Sequence, residues 1–130
     1  GARVLWRPGL GLNGAVSDAV ATLAGEGVDR VLVTHADLPL VTGYDELAVD
    51  DGIVLVPDRH EDGTNVVSIP AGCGFTFAYG PGSFSRHRAE AERLGLALRV
   101  LRSPRLTWDV DVPADLELPP ELPTAPLLCR

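Results

Sequence analysis

Three groups of residues in this chain have the types and spacing to do chemistry. Asp37 closes "VLVTHADLPLV", an apolar run that stops at once on Leu38-Pro39. Asp before Pro is a common turn or helix-capping acid, but open α/β sheets also bind ligands at the carboxyl ends of their strands. Asp109 and Asp111 alternate in "LTWDVDVPADL", a period of two that puts both on one face of a strand. They read equally as a solvated edge or as carboxylates for a hard divalent cation, which prefers oxygen ligands and keeps water and phosphate oxygens in its shell. The third group is "PDRHEDGTN" followed by "FAYGPGSFSRH". Gly63-Thr64-Asn65 leads into a strand, and Gly80, Gly82 and Ser83 lead into a helix with Arg86 and His87 near its start. Each is an ordinary turn taken alone. Together they suit an anion site, because glycines let backbone N–H groups approach a ligand and a helix N-terminus carries partial positive charge.

The elements that must position these residues follow from periodicity. "GLNGAVSDAVATLAGEG" predicts a loop entering a helix, with Val16, Ala19, Val20 and Leu23 at helical spacing and Gly25 and Gly27 as its stop. "DRVLVTH" and "GIVLVPDR" predict buried strands, with a short helix over "TGYDELAVDDG" between them. "TNVVSIP", "GFTFAYG", "LALRVL" and "LTWDVDV" predict further strands. "SFSRHRAEAERLG" predicts a helix, with Phe84, His87, Ala91 and Leu94 on one face, Ser83 as cap and Gly95 as end. "PADLEL" predicts a helical turn. The alternation implies an α/β fold with a mainly parallel sheet flanked by helices. The opening "RVLWRPGLGLN" lacks the full first β-loop-α unit with which doubly wound nucleotide-binding folds begin. Residues 1–118 form the expected domain and 119–130 a proline-rich tail.

The whole chain has 130 residues, 45% hydrophobic and 22% charged, with a net charge of −7. This is enough for one domain with a core. The acidic balance, with no basic stripe interleaved with aromatics, argues against nucleic acid as a partner. No apolar run approaches the roughly 20 residues of a membrane helix, and no secretory leader is visible. Cys73 and Cys129 are too few for a disulfide framework or zinc site. A cytoplasmic protein is expected, with no membrane partner; oligomeric state is left open, a homo-oligomer included. All eleven basic residues are arginine. With no lysine, any anionic ligand must rely on arginine, helix N-termini, backbone N–H groups or a bound cation.

The order "ADLPL", "PDR…DGTN", "F.YGPGSF..H" and "DVDVPADL" resembles the guanylyltransferase family of coenzyme F-420 biosynthesis, described as 2-phospho-L-lactate or phosphoenolpyruvate guanylyltransferases. The resemblance runs from "GLNGAV" to "PADL", and "DGTN…FAYGPGSFSRH" is its specific part. It implies a nucleotide-diphospho-sugar-transferase-like, Rossmann-like fold and a nucleotidyltransferase that joins GTP to a small phosphorylated carboxylic acid with release of diphosphate. It also implies Asp37, Asp109 and Asp111 as catalytic Mg²⁺ ligands, and Thr64, Gly80 and Ser83 as positions holding the acid. Gly11, Leu12 and Asn13 fall in the family's loop near the nucleotide. Two departures stand out: Val112 replaces a usual threonine, and the family's first strand and basic loop, which grip the triphosphate, have no counterpart. The chain is thus expected to be shortened at its N-terminus and to bind GTP poorly; tight GTP binding would mean instead that arginines such as Arg3 and Arg7 supply the grip. The acid itself (phosphoenolpyruvate, 2-phospho-L-lactate or 3-phosphoglycerate) is not fixed by the residues; the arginine-only composition tilts towards phosphoenolpyruvate by association. Two other readings are a non-catalytic remnant of the same fold and a receiver-type domain phosphorylated on Asp37. A receiver uses a lysine beside its phosphoacceptor and an acidic pair near its first strand, both lacking here.

Overall fold

The computed structural model describes residues 1–47 and 51–120. Part of the helix expected after Thr42, most of the proline-rich tail and Cys129 lie outside these residues. The first element is helix α1 (Gly11–Gly25), whose turn after the last residue closes through bonds from Gly27 N–H to Ala24 O and Val28 N–H to Leu23 O. Gly27 takes a φ of +88° there, which a side chain would resist. Arg3 and Arg7 pair with Glu26 and Asp18, fastening the leading segment along α1.

Four strands follow: β1 (Arg30–Thr34), β2 (Ile53–Pro57), β3 (Thr64–Pro70) and β4 (Leu98–Val100), in the spatial order β1-β3-β2-β4. Helix α2 (Ser83–Arg93) connects β3 to β4, and a short α3 (Pro104–Thr107) follows β4. One-turn 3-10 helices occupy Asp45–Leu47 and Pro113–Leu116. The two-residue period of the strands divides the core. Ile53, Leu55, Val67 and Ile69 face α1 and α2 together with Val20, Phe84 and Ala91. Val54, Val56 and Val66 face the opposite side, covered by Leu38, Leu47 and Leu106. Because both faces are covered, β2 is a continuous apolar run rather than an alternating one.

The sheet is mixed, and this corrects the expected mainly parallel one. Among the described residues only β2–β4 is a parallel ladder; β3 runs antiparallel to both β1 and β2. The cause lies in residues 58–63, which make a hairpin rather than a crossover. The Asp58 carboxylate accepts the N–H groups of His60, Asp62 and Gly63 at 3.0, 3.0 and 2.8 Å and curls the chain back on itself. A Cβ at Gly63 would sit 2.8 Å from Asp58 Oδ2 and push aside the carboxylate that holds the turn. Glu61 completes the turn with a φ of +56°.

Two further expected strands do not form. Residues 75–79 are extended without a ladder, and in 106–112 the first two residues belong to α3 while the rest is irregular. Ser83 is not the cap of α2; Gly82 is, in the left-handed conformation with a φ of +74°.

Candidate active site

Thr64 opens β3 and Ser83 opens α2, and the hairpin at 58–63 brings these two starts together. Both side chains are buried, and their hydroxyl oxygens lie 3.2 Å apart. Between them and the segment 109–111 is a cleft of about 410 Å³ whose wall includes Thr64, Gly80, Ser83, Asp109 and Asp111. The structure therefore gathers all three expected acid-holding positions and two of the three expected metal ligands around one space.

The wall at residues 74–82 is held by side chains of α2. Arg86 donates to Ala78 O at 2.9 Å and Pro81 O at 2.7 Å. His87 Nε2 accepts Ala78 N–H at 2.9 Å, and its Nδ1 meets Thr64 Oγ1 at 2.9 Å. Burial, with the charge of Arg86, lowers the His87 imidazole to about 4, Glu90 opposing, so the ring is neutral. The N-terminal amides of α2 are less open to an anion than the sequence suggests. Gly82 N–H bonds to Asp62 Oδ2, Ser83 N–H to Gly80 O and Phe84 N–H to Asp62 O. What the cleft offers is the Thr64 and Ser83 hydroxyls and Gly80 N–H, which has no protein acceptor among the described residues.

The acidic side of the cleft is assembled by Arg59. Its guanidinium stacks 4.3 Å over the Trp108 ring, donates to Asp109 O at 2.8 Å and pairs with Asp115. Asp115 in turn accepts Asp111 N–H at 2.9 Å and Val112 N–H at 3.0 Å, and these bonds, led by Val112, lower its carboxyl. Asp109 is shifted the other way. Burial raises it, the charges of Asp111 and Asp58 add to the effect, and its own backbone N–H and Arg59 oppose it. Asp58 spends both oxygens on the hairpin, Asp62 gives one to Gly82 N–H, and Asp109 keeps a 3.4 Å contact with Arg59, so Asp109 and Asp111 are the least compensated carboxylates on the cleft wall among the described residues. Such a donor set fits a hard cation. Among the described residues, no group of three metal-ligating side chains converges on one point.

Asp37 lies apart from this pair. It lines an adjoining apolar cavity of about 510 Å³ with Val16 and Val33, and Leu12, His35 and Tyr79 border both spaces. The segments still touch, since Val110 N–H donates to Asp37 O at 3.1 Å. Gly11, Leu12 and Asn13 form the first turn of α1 rather than a loop. Asn13 turns its amide onto the backbone of Tyr79, accepting N–H at 2.7 Å and donating to the carbonyl at 3.4 Å. Tyr79 Oη is buried with no partner among the described residues, and burial pushes its phenol up. Sequence reasoning missed Asp58, Arg59, Asp115 and the two bonds of His87. Of these only His87 carried a signal, as a polar residue on the apolar face of α2.

The family model described as "Guanylyl transferase CofC like" matches residues 1–118. Relatives named phosphoenolpyruvate guanylyltransferase include one from Sphaerobacter thermophilus, 42% identical over 90% of this chain and 59% of its own length. Those from Conexibacter woesei and Rubrobacter xylanophilus are 38% and 35% identical, covering 86% and 89% of this chain and 53% and 60% of theirs. The chain thus spans about half the length of the curated relatives it matches. A crystal structure from Desulfovibrio desulfuricans G20, provisionally described as a nucleotide-diphospho-sugar transferase, superposes with a TM-score of 0.56 at 17% identity. It covers 72% of this chain and 45% of the other, a likeness of fold.

Proposed function

The chain belongs to the CofC-like guanylyl transferase family, and from that premise we propose that it takes part in guanylyl transfer from GTP to phosphoenolpyruvate, in coenzyme F-420 biosynthesis. The observation that carries this reading is the meeting of Thr64, Gly80 and Ser83 with Asp109 and Asp111 around one cleft. A phosphate oxygen of the acid attacks the α-phosphorus of GTP. The new P–O–P bond forms as the bond from the α-phosphorus to the bridging oxygen breaks, and diphosphate leaves. Two anions must therefore be held together in a cleft that is itself acidic.

The chain's residues divide that task. The hydroxyls of Thr64 and Ser83 and the N–H of Gly80 donate to the phosphorylated acid, and none of them carries a compensating charge. Asp109 and Asp111 would hold Mg²⁺, while the Asp37 carboxylate borders the adjoining cavity. That cation supplies charge neutralisation between the reacting phosphates when bound. Arg59 and Asp115 keep the acidic segment in position, and Leu12 with Tyr79 separates the cleft from the apolar cavity, a space suited to the nucleotide.

The test is diphosphate release and ³¹P spectroscopy with GTP, Mg²⁺ and, in turn, phosphoenolpyruvate, 2-phospho-L-lactate and 3-phosphoglycerate, alongside calorimetric titration of each acid. A new phosphoanhydride with phosphoenolpyruvate supports the reading. Absence of phosphoenolpyruvate binding at the cleft, with or without GTP and Mg²⁺, overturns it.

A further inference from the structure

His87 is in van der Waals reach of no solvent, yet both of its ring nitrogens are engaged. It is fully buried beside Phe75, Phe77 and Tyr79, with ring centroids at 5.5, 6.4 and 5.1 Å. A backbone amide can only donate, so the bond of 2.9 Å from Ala78 N–H fixes Nε2 as an acceptor without a proton. The ring proton of a neutral imidazole then sits on Nδ1. The contact of 2.9 Å between Nδ1 and Thr64 Oγ1 is therefore a donation from the histidine to the threonine. Thr64 has one hydroxyl hydrogen, and with its oxygen accepting from His87 that hydrogen must point elsewhere. The directions open to it are Ser83 Oγ at 3.2 Å and the cleft. In the first case the Ser83 hydrogen is passed on; in the second the Thr64 hydrogen faces the cleft directly. Either way the pair presents an O–H rather than a lone pair to whatever lies there.

We infer that His87 is a positioning residue for the phosphorylated acid, setting the hydrogen-bond polarity of the Thr64–Ser83 pair so that it meets an acceptor-only ligand with donors. This rests on the reading of that cleft as the acid site. The polarity runs from Ala78 N–H through the imidazole to Thr64 and outward, so a backbone amide in the loop fixes the direction of a hydroxyl 23 residues away from the histidine in sequence. A histidine serving packing alone would fill the same space with either tautomer. Only the Nδ1–H form turns the hydroxyls outward as donors; a bare Nδ1 would draw the Thr64 hydrogen back to the ring.

The experiment has two arms. Long-range ¹H–¹⁵N spectra of the intact protein read the tautomer, and the proton is expected on Nδ1. A ring protonated at Nε2 overturns the inference whatever any variant does. Calorimetric titration with phosphoenolpyruvate then compares His87→Asn, whose side-chain amide can donate from near the Nδ1 position, with His87→Leu. The leucine variant is expected to lose roughly tenfold or more in acid affinity, and the asparagine variant to recover most of it, with GTP affinity unchanged in both. In a Thr64→Val background the difference between Asn and Leu should vanish. Equal affinity of the two variants, or a difference that survives Thr64→Val, sinks the inference. If Thr64→Val by itself leaves acid binding unchanged, the reading of the cleft falls, and this one with it; if Thr64→Val weakens binding and the His87 variants do not, only the role of His87 falls.

Discussion

His87 is buried, neutral and bonded at both nitrogens, so lowering the pH perturbs it before the carboxylates that stabilise the fold. Its proton affinity falls from the ordinary 6.5 to about 4 on folding. Between those values the unfolded chain binds a proton that the folded one refuses. Stability from this group is therefore complete above pH 6.5 and declines as pH falls towards about 4. At about 1.36 kcal/mol per pH unit, the loss relative to neutral pH reaches about 2 kcal/mol at pH 5. With a urea dependence of about 2 kcal/mol per molar, the unfolding midpoint should drop by roughly 1 M. The groups facing the ring from α2 are Arg86, which opposes its protonation, and Glu90, which favours it. Glu90 is itself lowered to about 2, chiefly by Arg93, so its own contribution is lost only below its ordinary 4.5. Asp109, raised on folding, acts with the opposite sign and cannot produce the decline. The assay is urea denaturation followed by circular dichroism at pH 7.5, 6, 5 and 4.5, on the native chain and on His87→Asn. A midpoint that does not move between pH 7.5 and 5, or that falls equally in the variant, would refute the reasoning.

Three other outcomes are expected. Thr64→Val should weaken phosphoenolpyruvate binding by about 1.5–3 kcal/mol, read by calorimetry, while the chain stays folded. Asp109→Asn should abolish guanylyl transfer yet raise the melting temperature of the ligand-free protein at pH 7, because it removes a buried charge that Asp111 and Asp58 repel. Asn13→Ala should cost about 1–2 kcal/mol of stability by freeing the Tyr79 N–H and carbonyl it bonds, and a urea titration will show whether it does.

Helix α2 and the apolar strands β2 and β3 were legible because their signals are local: a 3.6-residue stripe through Phe84, His87 and Ala91, and unbroken valine-rich runs. The direction of β3 was not, since it depends on Asp58 gathering three amides across five residues. Phe75, Phe77 and Tyr79 alternate as a strand would, but the amides of Thr76, Ala78 and Tyr79 bond to Glu90, His87 and Asn13 instead of a neighbouring strand. The same substitution explains Asp109–Val112, where Asp115 takes the amides of Asp111 and Val112. An extended stretch whose partners are side chains from other elements looks identical, in sequence, to one whose partner is a strand. The cleft shows the same division. Residues with obvious chemistry, such as Thr64, Ser83, Asp109 and Asp111, were visible from type and spacing. Those that set their orientation acquire that role from neighbours far along the chain.

The fastening of residues 74–82 to α2 also bears on how this protein can evolve. Arg86 and His87 hold Ala78, Glu90 holds Thr76 and Arg93 holds Gly74. A helix advances about 1.5 Å per residue and an extended chain about 3.3 Å, so three helical residues keep pace with somewhat less than two extended ones. The two segments are thereby matched like a ruler laid against a scale of different pitch. Surface loops ordinarily absorb insertions and deletions at little cost, but one residue gained or lost between Gly74 and Ala78 would slide every bond out of step at once. Length, more than composition, is what selection should hold constant in this stretch.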